Sequence, residues 1–224
     1  VSMEETRYNL NGIYVHEKKG EESKLTAVAT DGHRLACAGI ALPEGAEGMP
    51  GVIIPRKTIG ELSKLAAETE DNILVSLSAN QIRFELGDIV LSSRLIDGTY
   101  PEYEKVIPVN NDKKLQADAK TLSSVIERVS VVSEKSRGIK LALQPGLIQV
   151  FAASVDEGSA EDEMDAVYDN EAFEIGFNFR YLLDILGQVK SETVQMYLQD
   201  GTSPVILQDE ADDNALYVLM PMRV

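Results

Sequence analysis

The chain has 224 residues, 44% of them apolar, and sets 21 Lys and Arg against 37 Asp and Glu for a formal net charge of −16. That length and apolar share can bury a sizeable core in one or two domains, while the acidic surplus argues against a protein that binds nucleic acid by neutralising phosphates over a basic face. Cys37 is the sole cysteine, which excludes an internal disulfide; no apolar run approaches the roughly 18 residues of a membrane span; and no secretory leader is visible, so a reducing cytoplasm is the expected setting.

Residues 27–36 read as a strand, a tight Asp31-Gly32 turn and a second strand, which places His33 and Arg34 just past a hairpin. Residues 55–67 read as a helix that starts at Pro55 and carries Ile59, Leu62 and Ala66 on one face. Three short runs with period-two character follow, at 73–78, 81–86 and 89–95. The turn signals Ala79-Asn80 and Gly87-Asp88 separate them, so an antiparallel meander is expected.

The same order recurs further on. A helix over 178–190 carries Leu182, Ile185, Leu186 and Val189 on one face. Strands follow at 194–198, 204–207 and 216–220, with Asp200-Gly201 as a turn between the first two. This internal repeat divides the chain near residues 109–112, into 1–112 and 113–224, each a domain of mixed strands and helices. The second half also opens with a strand near 114–117 and a helix over 118–129, whose apolar face is Leu122, Val125, Ile126 and Val129, before a strand at 138–143. The first half starts directly at the counterpart of that later strand. A strand and a helix are therefore expected to be missing ahead of it, which leaves an apolar sheet face uncovered.

Chemistry is sparse. Asp31, His33 and Arg34 could be cast as a base, an orienter and an anion clamp. The only other histidine is His16, in a Lys- and Glu-rich hairpin, and there is no HExxH, Gly-rich phosphate loop or Gly-x-Ser-x-Gly elbow. The expected catalytic, cofactor and metal residues are accordingly none. The acidic stretch 156–163 reads as a solvated loop. The apolar strand that runs into Met220-Pro221-Met222-Arg223 is unusual for a terminus, and its methionines can form a soft surface for a partner's apolar side chains.

Together, Tyr8-Asn9-Leu10-Asn11-Gly12, the 27–36 hairpin, Ile53-Ile54-Pro55-Arg56-Lys57, Asp97-Gly98-Thr99-Tyr100-Pro101-Glu102-Tyr103, Ile175-Gly176-Phe177-Asn178 and the closing 216–224 run resemble the beta sliding clamp family, the processivity subunit of bacterial DNA polymerase III. The resemblance extends from about residue 6 to the end. It implies an α+β DNA-clamp fold: two repeated domains of antiparallel sheets with helices on the inner face, the first being an N-terminally incomplete middle domain and the second the C-terminal one. It also implies that an earlier domain precedes residue 1, so that the chain is a C-terminal fragment.

The resemblance further implies a non-enzymatic processivity factor. Such a protein encircles double-stranded DNA as a homodimeric ring and tethers polymerase subunits, the clamp loader and repair proteins through short linear motifs. Topological capture removes the conflict with the acidic charge, because only the hole need be mildly basic. The implied peptide-binding pocket, between the two domains, draws on Leu10, Thr30, Gly32, His33, Arg34, Leu35, Pro101, Lys105, Val106, Asn178, Tyr181, Thr202, Pro204, Val218, Leu219, Met220, Pro221, Met222 and Arg223. The sequence departs from the family's pattern at Lys105, where arginine is usual, at Ser136, where an aromatic can sit, and at Pro204, where a small hydroxyl residue is common. The implied DNA-facing residues are Arg7, Tyr8, Arg56, Lys57, Lys120, Arg128, Arg180 and Lys190, as sequence-independent phosphate contacts. Val131, Glu161 and Asp162 are the implied subunit interface. Without a first domain the ring cannot close, so the chain alone is expected to be monomeric or weakly associated. The other reading is a stand-alone acidic adaptor of the same fold that binds peptides and does not encircle DNA.

Overall fold

The computed structural model describes residues 1–70 and 72–224. The chain forms two compact units, Val1–Tyr103 and Glu104–Val224. Among the described residues, no helix is long and apolar enough to cross a membrane.

The first unit opens with a short 3-10 segment, Glu5–Leu10. Strands β1 (Gly12–Lys18), β2 (Lys24–Thr30), β3 (Arg34–Ala41) and β4 (Val52–Pro55) then form one antiparallel sheet, in the order β4-β1-β2-β3. Helix α1 (Arg56–Ala66) starts directly after Pro55, whose fixed φ suits a helix entry. Strands β5 (Leu74–Leu77), β6 (Gln81–Leu86) and β7 (Ile89–Arg94) make the expected meander. Alternation sorts its residues: Ile82, Phe84 and Leu86 are buried beside Val52 and Ile54, while Ile59, Leu62, Leu65 and Ala66 of α1 pack on that cluster only partly covered.

The second unit begins with β8 (Lys113–Asp118) and α2 (Ala119–Ser130), then a 3-10 turn, Val131–Ser133. The four-stranded sheet β9 (Gly138–Gln144), β10 (Leu147–Ser154), β11 (Gly158–Asp165) and β12 (Phe173–Asn178) has the order β11-β10-β9-β12. Helix α3 (Phe179–Leu186) precedes β13 (Thr193–Leu198), β14 (Val205–Asp209) and β15 (Asp212–Leu219). These pair in sequence, with β8 added beside β13.

The repeat is explicit in this topology. The series β1 to β4, α1 and β5 to β7 matches β9 to β12, α3 and β13 to β15 in order and pairing. The second unit alone carries β8 and α2. Asp118 caps α2 by accepting the Thr121 N–H at 2.7 Å. Leu122, Val125, Ile126 and Val129 are at most 1% exposed; burying each of the four contributes about 2 kcal/mol. Helix α2 lies across β9, β10 and β11 and against α3, and a single cluster takes residues from both sheets and both helices. In the first unit, among the described residues, no strand pairs with the outer edge of β5 and no helix corresponds to α2. Val75 and Ile89 are 49% and 46% exposed there.

Two expectations need correction. The helix read over 178–190 stops at Leu186. Gly187 follows, poor in a helix, and the backbone N–H groups of Lys190 and Ser191 donate instead to the Asp209 carboxylate, at 2.6 and 3.2 Å. The acidic stretch read as a loop is strand β11 from Gly158 onward. Met164 is buried and Ala160 half-buried on its inner side, and the intervening charges mask that period of two. At the end of its sheet, β11 carries the charges typical of an edge strand.

Asp209 is buried, and its other oxygen accepts the Ala211 N–H at 3.0 Å. The Ser191 side chain and these backbone donors outweigh the opposing effect of burial and hold its carboxyl well below the usual range. Asp209→Asn is expected to cost about 1.5–3 kcal/mol. A depressed carboxyl contributes stability that is complete above its unfolded value, about 3.9, and is lost as the pH falls through the folded one. Urea midpoints should therefore drop more steeply below pH 4 in the parent chain than in the variant. Parallel profiles would remove Asp209 from this role.

Candidate functional site

In the first unit, the β2–β3 hairpin presents a loop built around two side chains. Asp31 Oδ1 accepts the N–H groups of His33 and Arg34 at 3.0 and 3.1 Å, and Oδ2 accepts Arg34 Nε at 3.1 Å. The Thr30 hydroxyl donates to the Arg34 carbonyl at 2.7 Å and accepts the Gly32 N–H at 3.1 Å. Burial pushes the Asp31 carboxyl up, but the bonds from His33 and Arg34 prevail and hold it below its ordinary value. A carboxylate engaged by three donors is a loop builder, not a poised base. Leu35 and Leu10 are buried, whereas His33, Gly32 and Pro101 are exposed.

In the second unit, β12 organises the other candidate residues. Asn178 ends the strand and caps α3, its side chain accepting the Arg180 N–H at 3.0 Å, with Tyr181 half-buried in the first turn. Asp200 builds the β13–β14 turn: Oδ1 accepts the N–H groups of Thr202 and Ser203 at 2.7 and 2.8 Å, and both hydroxyls donate to the same carboxylate. The Thr202 bonds come first among the causes that bring the Asp200 carboxyl down to about 2. Asn111 Nδ2 donates to the carbonyls of Tyr197 and Pro204, each at 2.8 Å, which ties residues before β8 to that turn. A Cβ on Gly201 would run into the Glu174 carbonyl of β12.

The tail crosses the same strand two residues on. Val218 and Leu219 are buried at the end of β15, and the Met222 N–H then donates to the Gly176 carbonyl at 2.9 Å. Met220 and Met222 stay 41% and 36% exposed, with Pro221 half-buried and Arg223 exposed. Lys105 and Val106 are exposed in a 3-10 turn, Tyr103–Val106, and the exposed Ser136 donates its hydroxyl to the Ser133 carbonyl at 3.3 Å. Sequence reasoning missed Asn111, Gly138 and Gly176 as shaping residues, and read Asp200-Gly201 as a turn without the carboxylate bonds that build it. The Asp-Gly-Thr-Ser run at 200–203 is a signal for a side-chain-built turn.

Arg56 and Lys57 occupy the first turn of α1, Lys120 that of α2 and Arg180 that of α3. None of these three first turns holds an acid. Arg180 pairs with Glu134 at 2.8 Å, and Arg7 with Glu4 at 3.5 Å beside the exposed Tyr8. Lys190 is exposed just past α3. Arg128 and Asp162, assigned above to different surfaces, form an ion pair at 2.6 Å, while Val131 and Glu161 are exposed.

Family models match nearly the whole chain: the DNA polymerase III beta subunit central domain at residues 1–102, and its C-terminal domain at 104–223. The chain belongs to the DNA polymerase III beta subunit family. A beta sliding clamp from Caulobacter vibrioides is 47% identical over 226 residues, covering 100% of this chain and 61% of the relative. The Escherichia coli K12 beta sliding clamp is 39% identical, covering 100% and 60%. Among solved structures, a DnaN sliding clamp from Bartonella birtlesii bound to griselimycin superposes with a TM-score of 0.97 at 48% identity, covering 100% of this chain and 61% of the other. The chain thus spans about three-fifths of the length of these relatives.

The hairpin loop gives a direct test. Gly32 has φ +90°, and a Cβ there would lie 2.8 Å from Arg7 Nη1. Arg7 can swing aside, but the backbone cannot, so Gly32→Ala should destabilise the chain by about 1 kcal/mol. An unchanged urea midpoint would contradict the loop geometry.

Proposed function

We propose that the chain is part of a non-catalytic, cytoplasmic processivity factor. It encircles duplex DNA as a homodimeric ring and tethers polymerase subunits, the clamp loader and repair proteins through a peptide-binding pocket. The observation that carries this reading is the match to the family's central and C-terminal domains in consecutive order.

The first turns of the helices favour DNA as the threaded ligand. Cations at a helix N-terminus oppose the macrodipole and cost stability, yet all three helices open on them. The same positions beside an anion combine side-chain charge with the positive end of the helix dipole, as phosphates sliding past would exploit. In this reading Arg7, Tyr8, Arg56, Lys57, Lys120, Arg128, Arg180 and Lys190 face the DNA. Val131, Glu161 and Asp162 meet the neighbouring subunit through the part of the relatives' length that this chain does not span.

The pocket supplies the test. Fluorescence anisotropy of a labelled Gln-Leu-x-Leu-Phe peptide, titrated with this chain, should saturate, and a Leu35→Ala, Met220→Ala double variant should lose that binding. Equal binding by both proteins would remove these residues from the pocket, and no binding by the parent chain would remove the peptide-capture reading. Light scattering should return the mass of one chain or a weak, concentration-dependent association. A stable dimer would contradict the assigned ring-closing surface.

A further inference from the structure

Glycine inside a strand weakens it and marks a place where another backbone comes close. Gly176 in β12 and Gly138 in β9 are such positions. Both lie on the sheet face opposite the core residues Ile175, Phe177 and Ile139, and both are buried nonetheless. The tail covers them. A Cβ on Gly176 would collide with the Met222 carbonyl and stand 2.7 Å from Val224 Cγ2, and one on Gly138 would stand 3.1 Å from the same methyl. In register, Gly138 pairs with Asn178, and Gly176 with Lys140, so the two glycines sit diagonally across one ladder.

We infer that Gly138, Gly176 and Val224 are positioning residues for peptide capture: the glycines leave a notch in the β9–β12 ladder, one methyl of the otherwise exposed Val224 rests against it, and this contact, with the Met222–Gly176 hydrogen bond, fixes the register of Met220 and Met222. The inference rests on the proposed peptide pocket. Its physical content is preorganisation. The 220–224 segment is held against β12 by the Met222–Gly176 backbone hydrogen bond and by one methyl of Val224, the rest of which is 62% exposed, so a ligand need not order it on arrival. The same strand seats Gly201 on Glu174 and ends at Asn178, so the notch also aligns the tail with the 200–204 turn and the start of α3.

The test uses the full chain with methyl-labelled methionine and the Gln-Leu-x-Leu-Phe peptide. Gly176→Ala should weaken binding about tenfold by disordering the tail and move the Met220 and Met222 methyl resonances. The resonances of Met164 and Met196, buried in the core, and the thermal midpoint should hold. A merely structural role would move all of these together. Val224→Ala, which removes the methyl contact without adding a clash, should shift the same two resonances with a smaller loss of affinity, and it decides the matter if Gly176→Ala misfolds. Gly60→Ala, on open surface of α1, serves as the control: it should leave affinity and the methionine resonances unchanged while raising the thermal midpoint, as alanine does inside a helix. Parent and variants binding alike, with Met220 and Met222 unmoved, would overturn the anchor and leave the pocket standing. Failure of the parent chain to bind would instead overturn the pocket reading and the capture role with it.

Discussion

The apolar face of α2 is the constraint on which the second unit depends. Two antiparallel sheets each have one face to hide, and Leu122, Val125, Ile126 and Val129 supply the filling that both sheets and α3 share. Residues of β9, β10, β13 and β14 that share this cluster reach 0% exposure. The first unit is the internal comparison. With the same strand order and a helix in the position of α3, but no counterpart of α2 or β8 among the described residues, its meander keeps Val75 and Ile89 half in solvent and α1 buries only Thr58. Strand pairing alone sets the topology; the extra helix and strand close the core.

Carboxylates do much of the local building. Asp31, Asp118, Asp200 and Asp209 each accept backbone N–H groups at a turn or a helix start, and each is held below its usual pKa by side-chain and backbone hydrogen bonds, those of the Thr121 and Ser191 side chains leading at Asp118 and Asp209. Part of the chain's acidity is thus architectural. An ionised aspartate is the strongest short acceptor for unpaired backbone donors, and these four fix the hairpin loop, the entry of α2, the 200–204 turn and the exit of α3.

Much of the fold was legible because its periods were clean. Helices α1 and α2, the meander and the Asp31-Gly32 hairpin stand where apolar spacing and turn residues put them. Strand β11 was hidden because Glu161, Asp162 and Glu163 swamp the alternation that Ala160 and Met164 carry. The end of α3 was hidden because its terminator, Asp209, lies far along the chain and acts through space. The candidate site was legible at its exposed residues, such as His33, Met220 and Met222, and illegible at the groups that hold them. Asn111 bonds two carbonyls some 90 positions away, and Gly138 and Gly176 matter for what they omit.

The net charge of −16 and the proposed function on DNA are compatible once distance is considered. Exposed charges separated by more than the screening length, about 8 Å at physiological salt, scarcely feel one another. A phosphate therefore responds to the nearest side chains and helix ends, not to the molecule's total. At those ends the chain places Arg56, Lys57, Lys120 and Arg180, while acids such as Glu161, Glu163 and Asp165 belong to the edge strand β11. Loose contacts of this kind neutralise few phosphates at once, and weak neutralisation is what permits movement along a duplex. On the proposed reading, the acidic remainder of the surface adds a benefit: it discourages DNA from adhering anywhere but through the ring.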